Sequence, residues 1–273
     1  MTGSARVDMA NPAATPGPGR FDRQLGVEGF GSDGQKKLGC ATALVAGIGG
    51  VGGTAALYLA AAGVGRLVLC HPGVAEEPDL NRQVLLRADQ LGQPRVFNAA
   101  QAISERYPDV EVVALDEPVS GPSVAGWTNR CDVALDCRHN FAERLELNRL
   151  CWEAGVPLVE AAMDGAWGYV TVLSPGRTPC LRCWAGEGDP AWAPLGFPVL
   201  GVAAGTIGCL AAAEAIKVAS GWGRPLEGAM LTIDLDDMST SKLSLASDPE
   251  CRVCGPVARA ESGVAAQDLV VRT

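Results

Sequence analysis

The sequence lacks the features that would mark a membrane protein, an exported protein or a nucleic-acid-binding protein. No run of about eighteen apolar residues exists, so no transmembrane helix is expected. The N-terminus has no basic-then-apolar signal pattern, and export is therefore not expected. The 31 acidic residues outnumber the 22 basic ones, giving a net charge of −9 that disfavours nucleic acids and anionic membranes as partners. We expect a cytoplasmic protein that binds neither.

The chain has 273 residues, enough for one large domain or two small ones. Residues 1–19, rich in Pro, Gly and Ala, predict a disordered leader, and residues 257–273 predict a flexible tail. Residues 20–256 alternate strand and helix patterns and predict a single domain. Its fold class is α/β, with a Rossmann-like, doubly wound and mostly parallel sheet. Residues 228–245 alternate in the manner of C-terminal antiparallel strands.

A glycine-rich turn joins the first predicted strand to an Ala- and Leu-rich helix. Gly47, Gly49, Gly50 and Gly52 have the spacing that lets backbone N–H groups approach a phosphate at a helix N-terminus. A nucleotide is the favoured ligand, and a tight turn without a ligand is the alternative. An NAD-dependent oxidoreductase would share this loop, but its ribose-binding acid should fall near residues 67–72. The strand there ends in Cys70, with no Asp or Glu in the stretch.

Two Cys-x-x-Cys pairs lie far apart in the chain, Cys180 with Cys183 and Cys251 with Cys254. Each pair can chelate one side of a tetrahedral ion, so four thiolates would complete a closed structural Zn²⁺ site. A redox dithiol is the alternative. It is disfavoured because neither pair is predicted to follow a strand at the start of a helix.

Three arginines flank the glycine loop in sequence, Arg23 before it and Arg82 and Arg95 after it. Together they can neutralise a triphosphate and the charge that develops on it during reaction. Solvated surface arginines are the alternative for any one of them.

These landmarks together resemble the E1-like adenylyltransferases of the ThiF, MoeB and HesA type, over about residues 20–256. The segments that carry the resemblance are RFDRQ, GIGGVG, DLNRQ, GQPR, LDCRHN, PCLRC and CRVCG. The resemblance implies that the chain uses ATP with Mg²⁺ to adenylate the C-terminal carboxylate of a small carrier protein or peptide. It also implies a homodimer in which Arg23 acts across the interface. Arg82 would bind phosphate, Gln83 would line the site, and Asp136 and Asn140 would belong to the nucleotide site.

The sequence departs from the family pattern at four of these positions. Cys70 stands where the ribose-binding acid is expected, Asp79 replaces an asparagine, and Arg95 replaces a lysine. His139 replaces the second Asp of the family's D-C-x-D-N segment and so removes a hard ligand for Mg²⁺. A neutral imidazole there can act as a general base. The alternative function is therefore an E1-like protein with lost or altered adenylation that serves as a partner scaffold or in another reaction.

The predicted crossover loop contains no cysteine after Cys183, which disfavours thioester transfer by a loop nucleophile. Trp184 and Trp192 instead make this loop aromatic. Such side chains can anchor a carrier tail or pack into the core, and the sequence leaves both interpretations open.

Overall fold

A computed structural model describes residues 19–188 and 197–255 of the chain. These residues form one eight-stranded sheet with the spatial order β3-β2-β1-β4-β5-β6-β7-β8. The first five strands in that order are mutually parallel, and β6, β7 and β8 extend the sheet in antiparallel fashion. The strands are β1 Thr42–Ala46, β2 Arg66–Cys70, β3 Glu111–Leu115, β4 Val133–Asp136, β5 Leu158–Asp164, β6 Trp167–Leu173, β7 Ala229–Asp234 and β8 Thr240–Ser244.

Eight α-helices cover this sheet, and burial of both faces explains why β1 and β4 are buried at every position. The predicted α/β class, the parallel sheet and the C-terminal antiparallel strands are confirmed. The helices are α1 Asp22–Leu25, α2 Gly31–Cys40, α3 Gly50–Ala62, α4 Arg95–Arg106, α5 Pro122–Thr128, α6 Phe141–Ala154, α7 Leu181–Ala185 and α8 Gly201–Ser220.

The short helices α1 and α7 and the helices α2 and α5 were not predicted. Helix α2 contains three glycines within ten residues and α5 has only seven residues, so neither carries a strong helical pattern. Tertiary packing holds α2 in place. Leu38 is fully buried, and the Phe30 ring just before the helix meets Trp222 edge-to-face with centroids 6.3 Å apart.

Helix α8 packs closely against α3 and against β5 and β6. Glycine makes this approach possible, because a Cβ atom on Gly208 would lie 2.5 Å from the Val51 carbonyl oxygen. By length and composition alone, α8 is the one helix of the described ranges that could cross a bilayer. Its contacts with α3 and the sheet are those of a core helix.

Neighbouring strands β1 and β4 have connections that leave in opposite directions across the sheet. The carboxyl ends of such strands form a crevice, which is the usual ligand site of doubly wound folds. The glycine turn follows β1 and the segment 137–140 follows β4, so both predicted motifs meet at this crevice. The predictions for the two termini, and for Trp192, concern residues outside the described ranges, apart from Gly19 at the end of the predicted leader.

Candidate functional site

The glycine turn is pressed against the segment that follows β4. Gly47 has φ +95°, and a Cβ atom there would lie 2.4 Å from the Cys137 carbonyl oxygen. A Cβ on Gly52 would lie 1.8 Å from the Gly47 oxygen, whereas one on Gly49 would meet nothing within 4 Å. The turn is therefore closed on its inner side and open at Gly49. Since α3 begins at Gly50, the free N–H groups of its first turn make a phosphate site.

Two neighbouring residues at the end of β2 are both buried but contact different parts of the structure. The Cys70 thiol is fully buried in the core cluster behind the sheet and donates to the Glu117 carbonyl oxygen at 3.1 Å. Burial raises its pKa to about 12. The next residue, His71, lies against the glycine turn, where its Nδ1 accepts a hydrogen bond from the Ile48 N–H at 2.7 Å. The residue beside the turn is thus His71. The sequence predicts Cys70 at the position of the ribose-binding acid, whereas the structure buries Cys70 in the core.

His71 is held in its neutral form. Its side chain is largely buried, and burial lowers its pKa well below the ordinary histidine value. The positive charges of Arg138 and Arg95 lower it further. Because Nδ1 accepts from a backbone N–H, the single ring proton of the neutral imidazole resides on Nε2.

Asp79 gathers three of the predicted site residues around one buried carboxylate. Its Oδ1 accepts from Gln83 Nε2 at 2.7 Å and from an Arg82 Nη2 at 3.3 Å. Its Oδ2 lies 3.3 Å from Arg95 Nη2 and also accepts from the Glu76 N–H at 3.0 Å. The acid that replaces the family asparagine therefore offsets two arginines and fixes their position. The Cβ of Arg82 would lie 3.2 Å from a Cβ on Gly50, which places this cluster beside the turn.

The segment after β4 is fixed by a second charge network. Asp136 Oδ1 accepts from the Arg138 N–H at 2.9 Å, and the Arg138 guanidinium pairs with Glu143. Asn140 caps α6, because its Oδ1 accepts from the Glu143 N–H at 2.8 Å and its Nδ2 donates to Glu143 Oε2 at 2.7 Å. Asn140 is therefore committed to the helix start.

His139 lies between Arg138 and Asn140 in the chain, and its side chain is half-buried. Burial is the main cause that lowers its pKa, followed by the positive charge of Arg138. The chain contains only two histidines, and both line this crevice in neutral form.

A buried pair of carboxyl groups lies beneath this segment. Asp136 and Glu160 are both completely buried, so two acidic side chains lie in a place with little water to solvate their charges. Glu160 also accepts from the Arg144 guanidinium and from the Tyr169 hydroxyl at 3.1 Å. Burial raises the Glu160 pKa well above its ordinary value, and the negative charge of Asp136 adds to the effect.

The carboxylates of this site differ in how fully protein donors engage them. Among the described residues, Asp79 pairs with two arginines, whereas Asp136 accepts from the Arg138 N–H through Oδ1 and its Oδ2 is buried without a hydrogen-bond partner. His139 offers a nitrogen where Mg²⁺ prefers oxygen, so position 139 itself has no oxygen ligand for the ion.

Arg23 lies far from the glycine turn of its own chain. The α1 helix that carries it is fastened to the far end of α3, where Gln24 Nε2 donates to the Ala62 oxygen at 2.9 Å. Helix α3 has 13 residues and spans about 20 Å. The Arg23 side chain is exposed. The structure therefore does not bring Arg23 together with Arg82 and Arg95.

The four predicted metal-ligating cysteines come together at the other side of the domain. All four Sγ atoms lie within 4.8 Å of one another, with Cys180 and Cys251 at 3.6 Å and Cys183 and Cys254 at 3.2 Å. This cluster can hold a metal ion. Cys180 is the N-cap of α7, but residues 174–179 separate it from the end of β6, so the pair opens a helix without directly following a strand. The meeting of two distant pairs still distinguishes the cluster from a redox dithiol.

Comparison with known proteins gives one matching family and several relatives of similar length. The family model described as "ThiF family" matches residues 21–253. "Protein HesA, heterocyst" of Trichormus variabilis is 48% identical over 236 residues, covering 86% of this chain and 88% of that protein. "Sulfur carrier protein ThiS adenylyltransferase" of Escherichia coli is 35% identical over 238 residues, covering 86% and 94%.

Solved structures share the fold at lower identity. Escherichia coli MccB with ATP superposes with a TM-score of 0.76 at 21% identity, covering 89% of this chain and 75% of that chain. MccB in complex with N-formylated MccA gives a TM-score of 0.78 at 21% identity, covering 87% and 75%. At this identity the likeness establishes the fold.

The buried carboxyl pair predicts a pH-dependent stability. A proton held more tightly by folded than by unfolded Glu160 stabilises the fold below the ordinary glutamate pKa. This contribution is lost as pH rises toward the raised pKa, by up to about 1.4 kcal/mol per pH unit. We expect Glu160→Gln to remove this part of the slope in denaturant unfolding measured from pH 5 upward.

The matched control is Glu153→Gln, which removes an exposed carboxylate from α6 and should follow the wild-type slope. A Glu160→Gln protein whose stability falls with pH as steeply as the wild type would contradict the raised pKa of Glu160.

Proposed function

The chain belongs to the ThiF family, and from that premise we propose that it uses ATP to adenylate the C-terminal carboxylate of a small carrier protein or peptide. The observation that supports the proposal most is the placement of two arginines beside an open glycine turn at the β1–β4 crevice. Two relatives from Escherichia coli, the sulfur carrier protein ThiS adenylyltransferase and the molybdopterin-synthase adenylyltransferase, agree with it.

In the proposed reaction, a carboxylate oxygen attacks the α-phosphorus of ATP. The bond to the bridging oxygen of the β-phosphate breaks, so an acyl adenylate forms and pyrophosphate leaves with the electron pair. The glycine turn and the N-terminus of α3 bind the phosphates. Arg82 and Arg95 stabilise the charge that develops on the leaving group, and Asp79 keeps both guanidiniums in place before the nucleotide binds.

The same geometry favours adenylation over a scaffold role without chemistry. A carboxylate at position 79 beside a phosphate site would repel ATP if it were unpaired. It is instead offset by two guanidiniums, so the cluster as a whole keeps a positive charge. Two of the four departures from the family pattern, Asp79 and Arg95, thus compensate each other in one cluster.

ATP–pyrophosphate exchange tests this proposal. We expect exchange in the presence of a small carrier protein that ends in glycine, and none with the same carrier bearing a C-terminal carboxamide. Arg82→Ala should lower the exchange rate by about 10- to 100-fold because a charged donor to the phosphates is lost. A folded chain that supports no exchange with any carboxylate, yet retains its partners, would favour the scaffold alternative.

We further propose a homodimer in which Arg23 completes the partner's site. The exposed apolar side chains Tyr58, Leu200 and Val202 lie on α3 and at the start of α8, and we call this surface the α3–α8 face. A twofold axis through this face would run the two α3 helices antiparallel. That arrangement would bring the Arg23 end of one α3 toward the glycine turn of the other.

Complementation tests the position of Arg23. Arg23→Ala and Arg82→Ala chains should each be nearly inactive alone. Co-expressed with different tags, they should recover about a quarter of wild-type exchange, because half of the dimers are mixed and each has one complete site. Mixed dimers that are isolated by both tags and show no exchange would refute action across the interface. The unmixed Arg23→Ala dimer is the control.

For the cysteine cluster we propose a structural Zn²⁺ ion held by Cys180, Cys183, Cys251 and Cys254. Two pairs of thiols from distant segments fit a closed tetrahedral shell without an open position for catalysis. The ion would fasten the residue 251–255 segment to α7, where Asn148 already holds the helix start through Leu181 N–H at 2.9 Å. Cysteines that bind a metal ion instead of forming disulfides suit the proposed cytoplasmic location.

Metal analysis tests the zinc site. We expect about one zinc per purified chain and loss of the metal in Cys183→Ser and in Cys254→Ser. Both variants should unfold at lower temperature, since metal binding contributes to folding. Cys209→Ser, which changes an exposed cysteine outside the cluster, should keep the zinc. A chain purified with iron, or without any metal, would contradict the assignment.

A further inference from the structure

We infer that His71 makes the nucleotide site weakly selective for the ribose hydroxyls, so that 2′-deoxy- and 3′-deoxy-ATP are accepted nearly as well as ATP. The inference rests on the proposed function, because it concerns how the proposed ATP site handles its sugar. It begins from the place of His71 at the end of β2, beside the glycine turn.

The place of His71 is the one from which ribose is normally recognised. In nucleotide-binding sheets of this type, an acid about twenty residues after the first glycine accepts hydrogen bonds from the ribose. A carboxylate does this well because it has two acceptor oxygens and no donor. Cys70 cannot take the role, since its thiol is sealed behind the sheet and bound to the Glu117 oxygen.

His71 cannot accept from a ribose hydroxyl either. Its one acceptor nitrogen, Nδ1, is already used by the Ile48 N–H at 2.7 Å, and its other nitrogen carries the ring proton. The Nε2–H has no hydrogen-bond acceptor within residues 19–188 and 197–255. Nε2 is also not one of the completely buried polar atoms of those residues that lack a partner. It is therefore an open donor at the crevice, next to the charges of Arg95 and Arg138.

Selectivity for a hydroxyl arises mainly when a buried acceptor is left unpaired by the analogue that lacks the hydroxyl. Here no such acceptor is offered by His71. A hydroxyl can at most accept a neutral bond from the Nε2–H, and such bonds contribute less than bonds to a charged group. Removing the hydroxyl should therefore change binding by less than about tenfold.

The test compares Kd for ATP, 2′-deoxy-ATP and 3′-deoxy-ATP by calorimetry on the full chain, together with ATP–pyrophosphate exchange for each nucleotide. We expect the wild type to prefer ATP by less than about tenfold over either analogue. A larger preference overturns the inference while leaving the proposed function intact. Binding of none of the three nucleotides overturns both.

Two substitutions isolate the role of the side chain. His71→Asp supplies a second acceptor oxygen beside the one that takes the Ile48 N–H, and should raise the preference for ATP by about tenfold or more. His71→Asn is the matched control, because its amide oxygen replaces Nδ1 and its NH₂ remains a donor. The Asn variant should keep the wild-type ratio. A folded, ATP-binding Asp variant with an unchanged ratio overturns the inference, and if that variant does not fold the wild-type ratio decides.

Discussion

The structure depends on one close backbone contact, the approach of the glycine turn after β1 to the segment after β4. Side chains are excluded from this contact, since a Cβ on Gly47 or Gly52 would collide with backbone oxygen atoms of Cys137 and of Gly47 itself. The two strands are neighbours, and their connections leave in opposite directions across the sheet. The contact therefore fixes the inner wall of the crevice. The charged networks on both sides take their positions from that wall.

The two networks stabilise the same crevice by different means. On the side after β2, Asp79 joins Arg82 and Arg95 through partly accessible ion pairs, which a bound phosphate can share. On the side after β4, Arg138 pairs with the partly exposed Glu143, and Arg144 pairs with the fully buried Glu160. Breaking the Arg144–Glu160 pair would leave a charge without a partner in a place that water does not reach. The first network is therefore suited to ligand exchange, and the second holds the segment 137–140 rigid.

The fold and the cysteine cluster could be predicted because local patterns determine them. Short apolar strands, a glycine turn and two Cys-x-x-Cys pairs are short-range signals. The parallel topology then places the glycine turn at the carboxyl ends of the strands. The face on which Cys70 lies could not be predicted. A strand buried on both sides has no polar alternation, so Val68 and Cys70 cannot be told from Leu67 and Leu69 by sequence. The prediction consequently selected the last strand residue and missed His71, the first residue beyond it.

The partnership of Asp79 with two arginines also lies beyond sequence reasoning, since it joins residues on a turn to one at the start of α4. It changes the meaning of the departures from the family pattern. Arg82 and Arg95 share the single carboxylate of Asp79, so this cluster keeps a positive charge although the chain as a whole is acidic. A neutral histidine at the end of β2 adds no negative charge beside the cluster, whereas a carboxylate would. His71 therefore agrees with the proposed triphosphate site and with the proposed weak selectivity for the sugar.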